Sequence, residues 1–375
     1  FEGNYTWNKT VHLWRDTNSN VPSLARANSL LGTNYASWTE WLVGTATLPG
    51  HTFIVTNQNG TTTRTYSFVL GSTKDTTAGV TGTCSFTTTS SCVVNLNTTS
   101  TSTAAPLSAS TGNNNNATGA AIGIARAAIA QFRPNANLSE TSVIGSKGNA
   151  FYQGLILELR SRYRKLGRGF AASFRMAYTL SKTMDDGLNN TANAEINGDF
   201  SREWARSLQD RRHRLAFSGS FDTPWWFGKL RFSPLIRFGT SAPFNLGDGG
   251  SDRNLNDSST DRINFSGNIK DIKWRSPSSS PVTDAYIAQF SLQPIGSNSG
   301  NLPRNAGTGP GFYTFDLSVT REWKLGEHIR LRPVAQFDNI LNATVFSYGS
   351  GFIDFSNLTQ TGNVAARRDF LVPTR

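Results

Sequence analysis

The sequence predicts an all-β fold: an antiparallel transmembrane β-barrel of about eight long meander strands, part of a larger barrel, with long extracellular loops. Two observations support it. Apolar and polar side chains alternate along residues 152–163, with only Ile156 out of step, and again along 170–180, and the pattern recurs elsewhere. Successive strand side chains point to opposite faces, so each segment has one apolar and one charged wall. Both segments reach the length of a bilayer crossing, about 9–11 tilted residues.

The alternation recurs at six further places, which completes the set of eight strands. These strands are residues 1–7, 212–221, 230–238, 313–323, 329–338 and about 362–372. No apolar run approaches the roughly 18 residues that a transmembrane helix needs. The hydrophobic fraction of 37% fits a membrane barrel, because only every second strand residue touches lipid.

The connections between these strands are alternately short and long. The short links are residues 164–169, 224–228 and 324–328. The long connections are residues 8–147, 185–210, 242–311 and 342–361. Outer-membrane barrels have short periplasmic turns and long extracellular loops. We therefore expect a first strand at 1–7, an extracellular region at 8–147, and the remaining barrel hairpins within 148–375, with both chain ends on the periplasmic side.

Aromatic side chains cluster where the strands meet the short links. They are Tyr163, Phe170, Trp225, Trp226, Phe227 and Trp323. Aromatic girdles mark the membrane interfaces of outer-membrane barrels, so we expect these residues to lie at one interface. Ordinary hairpin-end aromatics of a soluble protein are the alternative, but they do not explain why every short link carries them.

The first long connection has an organisation of its own. Residues 51–70 place Asn59-Gly60 between two β-prone arms, which predicts an external β-hairpin. Cys84 and Cys92 lie eight residues apart in a Thr/Ser-rich stretch. An even cysteine count at hairpin spacing, in a chain destined for an oxidising compartment, favours a loop disulfide over a metal pair or a redox site.

The sequence contains no convincing catalytic or metal-binding constellation, so we expect no enzyme activity, no metal and no cofactor. Phosphate-loop, HExxH and GxSxG motifs are missing. Asp248, Asp252, Asp257 and Asp261 are four or five residues apart, unlike a calcium loop, and predict a solvated loop. The net charge is +11, but no Lys/Arg block is present, which argues against nucleic-acid binding.

Arginine is the most informative polar residue of the predicted strands. Nine arginines fall on the face turned away from lipid and form a lumen-facing basic wall: Arg160, Arg162, Arg175, Arg212, Arg214, Arg231, Arg237, Arg330 and Arg332. Such a wall can select an anionic solute or hold an acidic plug. The alternative is a space-filling ladder of arginines and acidic residues, with Glu158, Asp316, Glu322 and Asp338 as partial partners.

Several motifs occur in an order that resembles a known family. They are Ala150-Phe151-Tyr152-Gln153-Gly154-Leu155, Ala177-Tyr178-Thr179-Leu180-Ser181-Lys182, Asp210-Arg211-Arg212-His213-Arg214, Gly309-Pro310-Gly311-Phe312 and Phe337-Asp338-Asn339-Ile340-Leu341-Asn342. Together they resemble the carboxyl-terminal barrel part of Oar-like TonB-dependent receptors, acidobacterial outer-membrane proteins with a carboxypeptidase-regulatory-like domain. The resemblance covers residues 145–345 well, and the first loop and last strand loosely.

The resemblance implies a plugged barrel of about 22 strands in the bacterial outer membrane, which imports scarce solutes and exposes its loops at the cell surface. It implies outer-membrane lipid, a plug and further strands as partners. We expect those strands from the precursor, another chain or other copies of this chain. The main alternative is a processed fragment acting as a structural subunit of a surface assembly, filament or adhesin. A self-closed eight-stranded barrel and, least favoured, a soluble sandwich are the others.

Overall fold

A computed structural model describes residues 1–46, 53–56, 63–70, 92–96, 117–187, 193–248, 251–346, 348, 352–354 and 368–373. Its strands are β1 (Glu2–Asn18), β2 (Phe53–Thr56), β3 (Thr63–Val69), β4 (Cys92–Asn95), β5 (Ser142–Gly167), β6 (Phe170–Asp185), β7 (Ala205–Arg206), β8 (His213–Asp222), β9 (Leu230–Gly239), β10 (Pro243–Gly247), β11 (Asn264–Phe265), β12 (Phe290–Ser291), β13 (Gly307–Thr308), β14 (Phe312–Arg321), β15 (Trp323–Leu325), β16 (Ile329–Leu331), β17 (Val334–Phe337) and β18 (Phe352–Asp354). Its α-helices are α1 (Leu24–Leu31), α2 (Trp38–Ala46), α3 (Ala117–Ile129) and α4 (Asp284–Ile287). Short 3₁₀ turns lie at Ala130–Phe132, Ser201–Glu203, Trp225–Phe227 and Ile269–Asp271.

The main sheet is an antiparallel meander in the order β1-β5-β6-β8-β9-β14-β17, with the two-residue β7 paired to the end of β6. It therefore contains seven of the eight strands that the alternation predicts, in the predicted order. β15 and β16 form the tip of the hairpin between β14 and β17. Each short link contains a glycine with positive φ, namely Gly169 at 82°, Gly228 at 84° and Gly326 at 77°, where other residues would be strained.

The register of the main sheet aligns apolar side chains with apolar ones. One row across β5, β6, β8, β9 and β14 consists of Leu157, Tyr178, Leu215, Phe238 and Tyr313. The adjacent row, on the opposite face, consists of Glu158, Ala177, Ala216, Arg237 and Thr314. Directly opposed residues share a face, so the phase assigned from the sequence holds across these five strands. We call the two sides the apolar face and the polar face.

The apolar face is largely uncovered. Tyr5 is 65% exposed, Trp7 58% and Tyr313 54%, and all three belong to this face. An apolar surface that extends over a whole sheet is an aggregation hazard in water, whereas the hydrocarbon of a bilayer would cover it. Among the described residues, no helix has the length and apolar character needed to span a membrane.

The β1–β5 ribbon extends beyond the strands that the sequence predicts. β1 continues to Asn18 instead of ending at residue 7, and β5 already begins at Ser142, so the long connection starts at residue 19 rather than residue 8. A β-bulge interrupts the ribbon near His12, whose φ is 61°. An extra residue reverses the phase of the strand beyond it, which turns Arg15 toward the polar face.

The long connections fold into a cap at the end of the sheet opposite the short links. We define the cap as the described residues within 19–141, 186–212, 240–311 and 338–373. Its first apolar cluster joins α1, α2, α3, β3 and β4 around Trp41 and Phe132. Its second cluster surrounds Phe244 of β10 and Phe290 of β12. The loops thus have cores of their own.

The eighth predicted strand, residues 362–372, is wrong where the structure describes it. Residues 362–367 lie outside the described residues, and residues 368–373 form no strand. Phe370 and Leu371 are buried in the second cap cluster, and the backbone N–H of Arg275 donates to the carbonyl of Leu371 at 2.7 Å. A short apolar run does not reveal whether its side chains meet lipid or a protein core, and here they meet a core.

The first long connection contains a small three-stranded sheet. β2 pairs antiparallel with β3 in the segment where the sequence predicts a hairpin, and β4 pairs with β3 in parallel. The Asn59-Gly60 turn and Cys84 lie outside the described residues. The disulfide between Cys84 and Cys92 therefore stays a prediction.

Neighbouring residues of β8 test the assignment of the two faces. We expect Phe217→Asp to destabilise the membrane-inserted protein by about 2–3 kcal/mol, because it turns a carboxylate toward hydrocarbon. Ser218→Asp is the matched control: it places the same charge opposite Arg175 on the polar face and should be tolerated. Urea unfolding from lipid vesicles, followed by tryptophan fluorescence, measures both. Equal losses would show that the two faces of β8 meet the same environment.

Candidate functional site: the arginine-lined face and its cap

The register places the strand arginines of the predicted basic wall on the polar face. Arg160 of β5 lies opposite Arg175 of β6, and Arg214 of β8 lies opposite Thr179. Arg237 belongs to the row of Glu158 described above, and Arg231 lies opposite Asp222. The arginines from separate hairpins thus share one surface.

Six of these nine arginines form ion pairs with four carboxylates, the arrangement of the ladder alternative. Glu158 accepts from Arg160 and Arg175, and Glu322 pairs with Arg330 and Arg332. The remaining pairs are Arg231–Asp222 at 2.7 Å and Arg237–Asp316 at 3.1 Å. Asp338, which the sequence suggests as a partner, instead accepts a hydrogen bond from Gln336, whereas Asp222, which the sequence did not suggest, pairs with Arg231.

Two of the other three arginines, Arg162 and Arg214, leave a basic excess on the polar face, whereas Arg212 directly precedes β8 and belongs to the cap. Within the described residues, Arg162 and Arg212 have no carboxylate at ion-pair distance, and Arg214 donates to the carbonyl of Gln209 at 3.1 Å. Arginine keeps its charge at any physiological pH, so this excess is permanent. The ladder is therefore incomplete, and both interpretations of the basic wall remain compatible with it.

Aromatic side chains surround the short links, and their role as a membrane girdle stays a prediction. Phe170 and Trp226 come from different links, and their rings meet edge to face with centroids 5.8 Å apart. The hydroxyl of Tyr163 donates to Asp222 at 2.8 Å, and the guanidinium of Arg321 lies over Trp323. Trp225 is 77% exposed, and Trp226 and Phe227 are each about half exposed. Half-exposed aromatics at one end of a sheet have the amphipathic character of a membrane interface.

The cap contains charged clusters that the sequence did not reveal, and Asp257 is at the centre of the first. Arg133 donates to both of its carboxylate oxygens, at 2.6 and 2.9 Å, and Arg126 of α3 donates to one of them. Asn18, the last residue of β1, also donates to Asp257 at 3.1 Å. The Asp257 side chain is 1% exposed. A single buried carboxylate thus ties α3 to the end of the main sheet.

A second cluster forms the boundary between sheet and cap. Arg15 donates to Asp186 through two nitrogens, at 3.0 and 2.7 Å, and to the carbonyl of Gly187 at 2.6 Å. The same carboxylate accepts from the backbone N–H of Asn149. Arg304, from the cap, donates to Asp185. The Asp185-Asp186-Gly187 segment therefore anchors two arginines that are far apart in sequence.

The acidic segment 248–261 corrects the expectation of a solvated loop. Asp248, Asp252 and Asp261 are buried, as is Arg253, which pairs with Asp248 at 3.1 Å. Asp261 accepts from the backbone N–H of Asn254 at 2.9 Å. The spacing of these residues carried no information about distant arginine and backbone donors. Among the described residues, no three His, Cys, Asp or Glu side chains are arranged to hold a metal ion.

Burial and arginine charge act in opposite directions on neighbouring carboxyls of the cap. Burial raises the pKa of Asp252 to about 6, although the charge of Arg126 opposes the shift. Burial also raises the pKa of Asp261 well above its usual range, as does the nearby Asp248. For Asp257, burial is outweighed by hydrogen bonds and charge from Arg133 and Arg126, which hold its pKa below the usual value.

A meander with a bilayer-compatible apolar face, a charged opposite face and folded long loops defines the chain as an outer-membrane barrel protein. The family model of the outer membrane beta barrel domain matches residues 1–369, and the chain belongs to this family. No curated protein and no solved structure matches it. Family membership supports a location in the outer membrane, in contact with its lipid, and the family is generally non-catalytic.

Asp257→Asn tests the first charged cluster of the cap. Asparagine tolerates the positive φ of 70° at this position, so the variant removes charge without straining the backbone. Breaking one side of a buried ion pair costs about 3–5 kcal/mol, because the other charge stays buried without its partner. We therefore expect the free energy that protects the α3 amides from hydrogen exchange to fall by that amount, so that they exchange faster. Glu140→Gln, at an exposed position, is the control and should leave the exchange of α3 as it is.

The raised pKa of Asp252 predicts a pH dependence of the cap. Its native carboxyl retains a proton between pH 4 and about 6, where the unfolded chain has lost it, so stability falls as the pH rises through that window. In Asp252→Asn this fall should be smaller, although Asp261 still contributes in the same direction. Hydrogen exchange of α3, corrected for the intrinsic rate at each pH, measures it. A fall of unchanged steepness in the variant would contradict the assignment.

Proposed function

We propose that the chain is part of the β-barrel of a TonB-dependent receptor of the Oar-like type, which serves solute uptake or surface binding without catalysis. The supporting observation is the contrast between the two faces of the sheet, whose described strands form an open meander. Its apolar face suits lipid, its arginine-bearing face suits a water-filled or plugged lumen, and its long loops form a folded cap at one end. We place the cap at the cell surface and the short links in the periplasm.

The motifs behind the resemblance occupy the boundary between sheet and cap. Asp210 is fully buried and accepts from the backbone N–H of Thr183 and from Arg206, both at 2.8 Å. The guanidinium of Arg211 lies over the ring of Phe312, 4.9 Å from its centroid. These contacts join the Asp210–Arg214 motif to the Gly309–Phe312 motif and fix where β8 and β14 leave the cap. Two of the motifs behind the resemblance thus meet at one boundary of the fold.

Strand direction bears on what completes the barrel. The path of the sheet has seven strands, and every neighbouring pair is antiparallel, so β1 and β17 run in the same direction, toward the cap. An antiparallel barrel needs strands of the opposite direction beside both edges. Bacterial barrels of one chain have an even number of strands. To the seven described strands of this sheet, the rest of such a barrel therefore adds an odd number.

The same geometry disfavours a barrel built from copies of this chain. Two copies inserted with the same orientation would join β1 of one to β17 of the next as parallel strands. Antiparallel pairing of β1 with β1 would require an inverted copy, with its cap on the other side of the membrane. We therefore favour strands of different sequence as the partners. A processed fragment in a filament or adhesin outside the bilayer is the alternative, since an unpaired 17-residue edge such as β1 is a ready template for another strand.

Photo-crosslinking at the sheet edges tests this proposal in native outer membranes. A benzophenone amino acid replaces Thr6 of β1 or Gln336 of β17, and mass spectrometry identifies the crosslinked peptides. We expect partners whose sequences lie outside these 375 residues, within a polypeptide that also contains a plug. Ser218 of β8 is the control: among strands, it should crosslink only to its neighbours β6 and β9. Edge crosslinks to copies of this chain would overturn the receptor proposal in favour of the assembly.

A further inference from the structure

A shallow pocket on the polar face lies beside the link between β5 and β6. On this face it is lined by Arg160, Arg162, Arg175, Ser173, Ser218 and Ser220. A β-bulge between Ser161 and Arg164 leaves Arg162 without a directly opposed residue on β6. Bulges of this kind re-aim a side chain, and this one releases Arg162 from the ladder next to it. We call these six residues the Arg162 pocket.

The guanidinium groups of the Arg162 pocket are only partly used. Arg175 binds Glu158 through two nitrogens, at 2.5 and 3.0 Å, which is a bidentate pair. Arg160 binds the same carboxylate through its Nε alone, so its two terminal nitrogens make no hydrogen bond to the described residues. Glu2, opposite Glu158 on β1, is the other carboxylate acting on Arg160. Three arginines therefore face two carboxylates, and Arg162 supplies the surplus charge.

Hydroxyl groups complete the donor set of the Arg162 pocket. Ser173 of β6 lies opposite Ser220 of β8, and Ser218 lies opposite Arg175. Among the described residues, none of these three hydroxyls has a hydrogen-bond partner. Each can donate one hydrogen bond and rotate to suit its acceptor. The pocket thus combines a fixed guanidinium fork with adaptable short donors.

We propose that the Arg162 pocket binds the oxyanion of a small solute, a phosphate or sulfate group. A tetrahedral oxyanion accepts hydrogen bonds on several sides, and an arginine fork matches two of its oxygens. The three serines supply donors to the others, which a halide ion would leave unused. The inference rests on the proposed function in one respect: solute must reach the polar face through a lumen.

Binding of inorganic phosphate to the purified, complete barrel in nanodiscs tests the inference. We expect saturable binding that Arg162→Gln weakens about tenfold or more, as loss of a charge-assisted hydrogen bond predicts. Arg332→Gln is the matched control. It removes the same charge from the same wall, but Glu322, its partner, keeps Arg330, so phosphate affinity should change less than about twofold.

Three outcomes would overturn the inference. Equal weakening by both variants would mean that phosphate senses the general charge of the wall. Equal affinity for chloride and phosphate would mean that the serines do not take part. Binding of an acidic peptide but not of phosphate would assign the pocket to the plug. The anion selectivity of conductance, measured on the same barrel, tests the proposed function separately. If the barrel selects anions but does not bind phosphate, the inference about the Arg162 pocket is wrong and the proposed function stands.

Discussion

The structure depends on one constraint: within hydrocarbon, each backbone N–H and C=O must find its partner inside the sheet. The long antiparallel ladders meet this requirement, with β5 and β6 paired from Ala150 to Gly167 and from Asp185 to Phe170. A ladder of this length leaves no freedom of register, because a slip by one residue would exchange the two faces. The separation of apolar and arginine-bearing surfaces follows from that rigidity. Among the described strands of this sheet, β1 and β17 each have a strand neighbour on one side only.

Two arginines of the sheet, Arg15 and Arg162, owe their orientation to interruptions of this regular pairing. The bulge near His12 turns Arg15 toward Asp186, and the bulge after Ser161 frees Arg162 from cross-strand pairing. Gly148 makes the first of these possible, because a Cβ at that position would lie 2.6 Å from Cζ of Arg15. Both bulges lie near the ends of strands, one toward the cap and one toward the short links. Interruptions there disturb few of the ladder bonds that the middle of the sheet needs.

The sequence was sufficient for the sheet because its pattern is local. Alternation along Leu155 to Leu159 already assigns each side chain to a face, and short links imply hairpins. The cap depends on contacts between distant segments, such as Arg15 with Asp186 and Arg133 with Asp257, and no local pattern records them. Asp252 therefore looked like part of a solvated loop. Phe370 and Leu371 looked like strand residues for the same reason, since a local pattern does not distinguish lipid from the core of a cap.

The distribution of ion pairs determines where the positive charge of the chain acts. Buried arginines of the cap have carboxylate partners, as in Arg133–Asp257, Arg253–Asp248 and Arg262–Glu203, because an unpaired charge in a dry core is too costly. The polar face carries no such requirement, since its paired arginines are more than half exposed, as in Arg160–Glu158. Surplus arginine is therefore tolerated on that face and excluded from the cap interior. A chain with a net charge of +11 thus carries part of its excess on the polar face.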